Sequence, residues 1–458
     1  MTRRVERDAL GEVRVPADAL WGAQTQRAIE NFPISGQRFG RRFLAALGHV
    51  KRAAAQANAE LGRLDDRRAR AILRACDEVI LGDLDAHFPV DVFQTGSGTS
   101  TNMNANEVLA RRAMQLAPEA GPIHPNDHVN ASQSSNDVIP TAIHIAVTLT
   151  LRDALLPALD TLRAALEERA IAFDDVVKSG RTHLQDAAPV RMGQVFGGYA
   201  TQIAQSRERG ARAVDALREV ALGGTAVGTG LNCPPDFPRR ALAHLNAALG
   251  TDFAEAADHI AANAARDALV EVSGTLKVMA VSVHKVANDL RWLGSGPRDG
   301  LGELRLPAVQ PGSSIMPGKV NPVIPEAVLM VCAQVIGYDV ANTLGGLGGH
   351  FELNLMMPLL AHNLLTGTEM LANATRLLAE RCVTELEVDR ARCQAGVEHN
   401  LALATALAPA IGHDRAAAIA QEAERTGQTV REVAQAQGAL SPEELARLLD
   451  PRRMTFDA

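Results

Sequence analysis

The run V-T-L-T-L-R-D-A-L-L-P-A-L-D-T-L-R-A-A-L, residues 147–166, decides the fold class. Val147, Leu151, Leu155, Leu159, Leu162 and Leu166 return every three or four positions, which on a 3.6-residue helix makes one aliphatic stripe. The same period predicts helices over Phe43–Leu61, Asp66–Leu81, Asn104–Leu116, Gly193–Leu222, Arg239–Leu249, Asn263–Leu293, Pro325–Leu344 and Met356–Arg381. No segment alternates convincingly at the strand period, so the expected fold class is all-α. Central helices of about 25 to 30 residues, well above the usual mean, suit a long bundle. Composition agrees: 47% of residues are hydrophobic but only 3% aromatic, so the core is aliphatic. Alanine and leucine, which dominate it, both favour helix. Stripes this apolar are expected to be covered on several sides, in part by further copies of the chain.

A chain of 458 residues is long enough for two or three domains. Its net charge of -7 mixes acids and bases, with no basic run carrying interleaved aromatics, so no nucleic-acid partner is expected. The five cysteines, Cys76, Cys233, Cys332, Cys382 and Cys393, are odd in number and form no CxxC pair, which fits reduced thiols in a cytoplasm. The N-terminus is charged and has no apolar stretch like that of a signal peptide. No run of 18 apolar residues suggests a membrane span. From about Glu387 the pieces become shorter and more polar, with S-P-E-E at Ser441 marking a helix start.

Between the helices the sequence turns polar in blocks. These are Gln94–Asn102 (Q-T-G-S-G-T-S-T-N), His124–Asp137 (H-P-N-D-H-V-N-A-S-Q-S-S-N-D), Ser179–Val190 (S-G-R-T-H-L-Q-D-A-A-P-V) and Gln310–Glu326 (Q-P-G-S-S-I-M-P-G-K-V-N-P-V-I-P-E). In the last, Pro311, Gly312, Pro317, Gly318, Pro322 and Pro325 break both regular periods. It nevertheless holds Ser313, Ser314, Lys319, Asn321 and Glu326, with Ile315, Met316 and Val320 as apolar pins. A long irregular loop of this kind is more often a functional lid than a connector. Asn104 with Glu107 three residues on resembles a helix-capping arrangement. Hydroxyls and amides such as Ser97, Thr99, Asn102, Ser134, Ser135 and Asn136 lie where long helices begin, beside unpaired N–H groups that attract anions. One such loop is ordinary capping. Three of them together with Lys319 suit a ligand with two carboxylates.

Other chemistries fit less well. Gly96-Ser97-Gly98 lacks the P-loop spacing, and Gly223–Gly230 does not open a helix after a strand, so no nucleotide is expected. His124 and His128 stand four apart, but Pro125 and Asn126 intervene and no third ligand is evident, so no metal is expected. His183 is a candidate acid or base, with Glu326 as a possible orienter. No G-x-S-x-G elbow surrounds Ser313 or Ser314, but either could act as a base if its alkoxide were stabilised. The residues alone thus describe an oligomeric helical site for a small dianion, without metal or cofactor.

The motifs now gathered resemble the fumarase/aspartase superfamily, and within it the class II fumarases. G-S-S-x-M-x-x-K-x-N, the most specific, stands at Gly312–Asn321. The likeness covers nearly the whole chain, from L-W-G-A-Q-T-Q-R at Leu20 through Q-T-G-S-G-T, H-P-N-D, S-S-N-D, G-R-T-H-L-Q-D and G-G-T-A-V-G-T-G-L-N to F-E-L-N at Phe351. Aspartases are similar but typically carry Gln where His183 stands; Val323-Ile324-Pro325-Glu326 is the one stretch closer to their style. The resemblance implies a three-domain subunit: an N-terminal lyase domain over 1–134, a central helical bundle over 135–387 and a small C-terminal domain over 388–458. It implies a homotetramer whose active sites are each built from three subunits, and reversible hydration of fumarate to (S)-malate. Aspartate ammonia-lyase or another lyase of the superfamily is the alternative. By the same resemblance Ser313 removes the C3 proton and His183 with Glu326 handles water. Lys319, Asn321, Thr182 and Asn136 hold carboxylates, Ser97, Thr99, Ser134 and Ser135 supply hydroxyls, and Asn102 completes the substrate-binding set. His124, Asn126 and Asp127 match a secondary dicarboxylate site.

Overall fold

The computed structural model describes residues 2–455. Its dominant element is a helix of 38 residues, Ser135–Ala172. All six residues of the aliphatic stripe are fully buried, each at 0% exposure. Burying a Val or Leu side chain is worth about 1.5–3 kcal/mol, so the stripe alone is a major source of stability. The helix widens into one π-turn at Leu151–Leu155, just before Pro157, whose ring nitrogen has no hydrogen to close an ordinary helical bond. Four more long helices follow, Met192–Ala216, Asp267–Leu293, Val323–Gly346 and Met357–Leu378. The fold is all-α.

The residues form two compact units. One contains 2–157, 208–280 and 333–372; the other contains 158–207, 281–332 and 373–455. Each break between them falls inside one of the five long helices. In the first unit Arg41–Glu60, Asp66–Leu81 and Thr99–Leu116 pack around Phe43, Leu47, Val50, Ile72 and Leu109. The Asp66–Leu81 helix starts where Asp65 accepts bonds from the N–H groups of Arg67 and Arg68, and stops at Gly82, whose φ of 98° suits a residue without a side chain. In the second unit Val397, Leu403, Leu407, Ile419, Val433 and Leu449 form a hydrophobic cluster of the C-terminal segment. The Ser441 helix start is a full capping box with Glu444.

The structure corrects several expectations. Strands are present, all in two-stranded ladders among the described residues. Arg3–Asp8 pairs with Gly11–Pro16, and the expected polar loop at 179–190 is a hairpin, Val177–Thr182 against Gln185–Arg191. The helix expected from Asn104 begins at Thr99, so Asn102 is helical and buried rather than in a loop. Asn104 caps nothing. Glu107 instead accepts bonds from the backbone N–H groups of Gly22, Gln24 and Thr25, because a buried carboxylate gains more from several donors than from one local cap. The Met192 helix ends at Ala216, short of Leu222, and the Asp267 helix starts four residues after Asn263. Two helices, Ser135–Ala172 and Val323–Gly346, have the length and apolar composition to cross a bilayer, as core helices can too. The apolar window of the first is 72% buried, the mark of a core helix, whereas that of the second is only 28% buried.

Candidate active site

In the first unit two helix starts are laid side by side. Gly98, with φ of 73°, turns the chain into the Thr99–Leu116 helix. Its neighbour Gly96 lies against the backbone at Leu355, where an added Cβ would come within 1.9 Å of the Leu355 carbonyl oxygen. The segment just after F-E-L-N is thereby fixed on this turn, and Met357 N donates to the Gly96 carbonyl. Ser134 caps the second helix, with its own N–H bonded to Asp137 at 2.9 Å. Between the two starts runs a row of hydroxyls. Ser97 and Thr99 share a bond of 2.8 Å, and Thr99 and Ser135 share one of 2.7 Å. Ser135 donates weakly to Asn136 Oδ1 at 3.4 Å, and Asn136 Nδ2 donates to the Ala226 carbonyl at 2.8 Å. Two positive helix ends and a row of hydroxyls together favour a carboxylate.

Beneath this platform lie groups that sequence reasoning missed. Asp137 is fully buried, and its Oδ2 accepts from Gly223 N and Thr225 N, each at 3.0 Å. Burial pushes its pKa up, against the pull of the N–H groups of Ser134, Thr225 and Gly223. One carboxylate therefore ties the S-S-N-D turn to the glycine turn. Lys51, also fully buried, donates to Asn130 Oδ1 at 3.0 Å and Gln133 Oε1 at 3.1 Å. Asn102 reaches the same Asn130 oxygen at 3.1 Å. Burial lowers the Lys51 pKa to about 7. A motif match could have pointed to Asp137, but Lys51 sits in an alanine-rich helical run that gives no sign of its partners.

His124 precedes the short turn Pro125–Val129 and caps it, with Nδ1 accepting from Asn126 N at 3.3 Å and Asp127 N at 3.2 Å. The Asp127 carboxylate also approaches His124 Nδ1 to 3.2 Å. His124, Asn126 and Asp127 are all exposed.

The remaining candidates belong to the second unit. Thr182 and His183 are exposed at the tip of the hairpin. His183 and Leu184 form its two-residue turn with φ of 56° and 60°, the geometry that Asn-Gly usually provides. The lid over 310–321 closes on itself. Gly312 N donates to the Lys319 carbonyl at 2.8 Å, and Asn321 Nδ2 donates to the Gly312 carbonyl at 2.6 Å. Ser313 Oγ accepts from Ile315 N at 3.2 Å and from Met316 N at 3.0 Å. Lys319 is exposed, and so is Glu326 in the first turn of the Val323 helix. Within one chain His183 and Glu326 make no hydrogen bond or ion pair to each other among the described residues.

Comparison with known proteins decides the family. Residues 11–337 match the profile of the lyase family, and residues 403–456 match that of the fumarase C C-terminus. A relative from Halobacterium salinarum named class II fumarate hydratase is 57% identical over 99% of this chain and 97% of its own. The chain belongs to the class II fumarases. Another relative of that name, from Xylella fastidiosa, is 53% identical over 99% of this chain and 95% of its own. The crystal structure of the class II fumarase from Schistosoma mansoni superposes with a TM-score of 0.96 at 38% identity, covering 99% of both chains. The fold is mainly helical with a few short strands, and the family consists of lyases acting on small dicarboxylates.

Proposed function

We propose that the chain is a fumarate hydratase, a hydro-lyase that interconverts fumarate and (S)-malate. The observation that carries this reading is full-length identity of 57% with a class II fumarate hydratase, on a chain whose Ser313 hydroxyl receives two backbone N–H bonds. Two such donors lower the cost of an alkoxide on Ser313, the species that takes the weakly acidic C3 proton of malate. The electron pair left on carbon moves into the neighbouring carboxylate. The C2–O bond then breaks, and the hydroxyl leaves as water after receiving a proton from His183, oriented by Glu326. Lys319, Asn321, Thr182 and Asn136 hold the carboxylates, and the row Ser97, Thr99, Ser134 and Ser135, with Asn102 beneath it, takes the remaining oxygens. His124, Asn126 and Asp127 form a secondary dicarboxylate site.

The active form is a homotetramer with each site assembled from three subunits. Support comes from the Val323–Gly346 helix and its end, where Met330, Val340, Leu344 and Leu347 are 69%, 61%, 59% and 73% exposed in the single chain. Exposed apolar area on that scale calls for a partner. The three domains are 1–134, 135–387 and 388–458, and five free cysteines fit a cytoplasmic enzyme. Fumarate absorbance followed with malate as substrate tests the reading, with aspartate offered in parallel. Loss of the double bond signal's growth with malate, or ammonia release from aspartate at a comparable rate, overturns it.

A further inference from the structure

The hairpin that carries Thr182 and His183 is tied at its base to Asn400, through Ser179 and Ala187, and next to its tip to Glu303. Arg181, the residue before Thr182, makes a forked bond to Glu303, with Nη2 to Oε1 at 2.7 Å and Nη1 to Oε2 at 3.1 Å. Lys178, earlier on the same strand, reaches Glu303 Oε2 at 3.2 Å. Glu303 is only 3% exposed and Lys178 only 4%, so this is a charge cluster inside the protein rather than a surface pair. The Glu303 backbone is held as firmly: its N–H donates to the Leu293 carbonyl and its carbonyl accepts from Asp389 N, each at 2.9 Å. One residue thus joins the end of the Asp267–Leu293 helix, the strand Glu387–Val388 and the hairpin. Ten residues further along the chain stands Ser313.

Two facts show why the tip needs such an anchor. His183 and Leu184 are both held at positive φ, which costs a non-glycine residue stability and persists only where the surroundings impose it. Leu184 is also 74% exposed, so burial of its side chain within the chain does not impose it. The ladder below the tip is itself irregular, with a register shift between Ser179 and Gly180. The forked bond at Arg181 is the rigid contact nearest the strained turn. A guanidinium held at two nitrogens fixes direction as well as distance, which an ammonium cannot do.

We infer that Glu303 is a positioning residue, which through Arg181 fixes the hairpin tip and so aims His183 at the reacting oxygen. The inference rests on the fumarate hydratase reading and deepens it. Glu303 touches no substrate. Its contribution is to hold His183 within the small tolerance that proton transfer requires, since a displacement of about 1 Å can cost on the order of a hundredfold in rate.

Arg181→Lys is the sharper variant, because it keeps the charge opposite Glu303 but cannot fork. Glu303→Gln, which leaves two cations facing a neutral amide, is the harsher one. Two readouts are taken on the full-length protein: hydrogen–deuterium exchange of the 182–185 amides, and kcat, KM and the pH profile for malate. The expected result for Arg181→Lys is faster exchange at the tip, an unchanged helical circular dichroism spectrum, a kcat lowered about tenfold with a smaller change in KM, and a displaced limb of the pH profile. Glu303→Gln, where it folds, is expected to exceed this. Unchanged exchange at the tip in a folded Arg181→Lys protein overturns the anchor whatever the activity. Faster exchange with wild-type kcat and pH profile overturns the link to His183. An inactive wild-type protein whose tip still loosens in Arg181→Lys instead removes the hydratase reading and leaves the anchor standing.

Discussion

The platform at Ser134–Asp137 and the lid at 310–321 use the same residue types to opposite ends. On the platform Ser135 and Asp137 are buried, and almost every polar atom is spoken for by a neighbour: Asp137 by three N–H groups, Thr99 by two hydroxyls, Asn136 by a carbonyl. In the lid Ser314 through Val320 are exposed, and the bonds that exist are within the loop itself. A buried polar network is rigid because every missing bond is expensive, while an exposed loop can exchange its bonds for water. The platform is therefore held by buried bonds, while the segment bearing Ser313 is held only by bonds within itself.

If that division holds, substitutions should separate cleanly into those that cost rate and those that cost stability. The largest effect is expected for Ser313→Ala, with kcat lowered by about a thousandfold, the usual scale for losing a positioned base, and a urea unfolding midpoint unchanged. A variant that keeps wild-type kcat removes Ser313 from the role. Asp137→Asn should act in the reverse sense. It turns an N–H toward buried donors, and a loss of about 2–4 kcal/mol of stability is expected by denaturant unfolding. A variant as stable as wild type would show that the platform is less tightly determined than its bonds suggest.

The smallest expected effect concerns pH and Lys51. Its folded pKa, about 7, lies below that of an unfolded lysine, near 10. Between those values the unfolded chain binds the extra proton and the folded one does not, so this group makes stability rise with pH across that window. From pH 7 to 9 the gain is roughly 2 kcal/mol, at about 1.4 kcal/mol per unit. Lys51→Met should lack the rise, and unfolding at the two pH values checks it. Equal slopes for the two proteins would mean that Lys51 stays charged and draws more from Asn130 and Gln133 than burial costs it.

How much of this was legible in the sequence depended on the range over which each feature is determined. The Val147–Leu166 stripe was readable because a helix's buried face is written in its own period, and all six marked residues are buried. The Ser441 and Glu444 capping box was readable because its partners are three residues apart. The 177–191 hairpin was not, because its turn residues are His183 and Leu184, and no Asn-Gly announces them. Asn104 and Glu107 misled because Glu107 spends its oxygens on residues 82 to 85 positions away. Lys51 was invisible for the same reason, with partners 79 and 82 residues distant. For the site, the motif types were plain, but the row of hydroxyls linking Ser97 to Asn136 exists only once two helix starts are brought side by side.

The bonds from Gly312 N to the Lys319 carbonyl and from Asn321 to the Gly312 carbonyl stitch the lid across its own neck. These two bonds make the neck of the loop a closed ring, not a slack rope. Ser313 and Lys319 are thereby joined in one ring of chain, so a change at either end of the neck is felt by both.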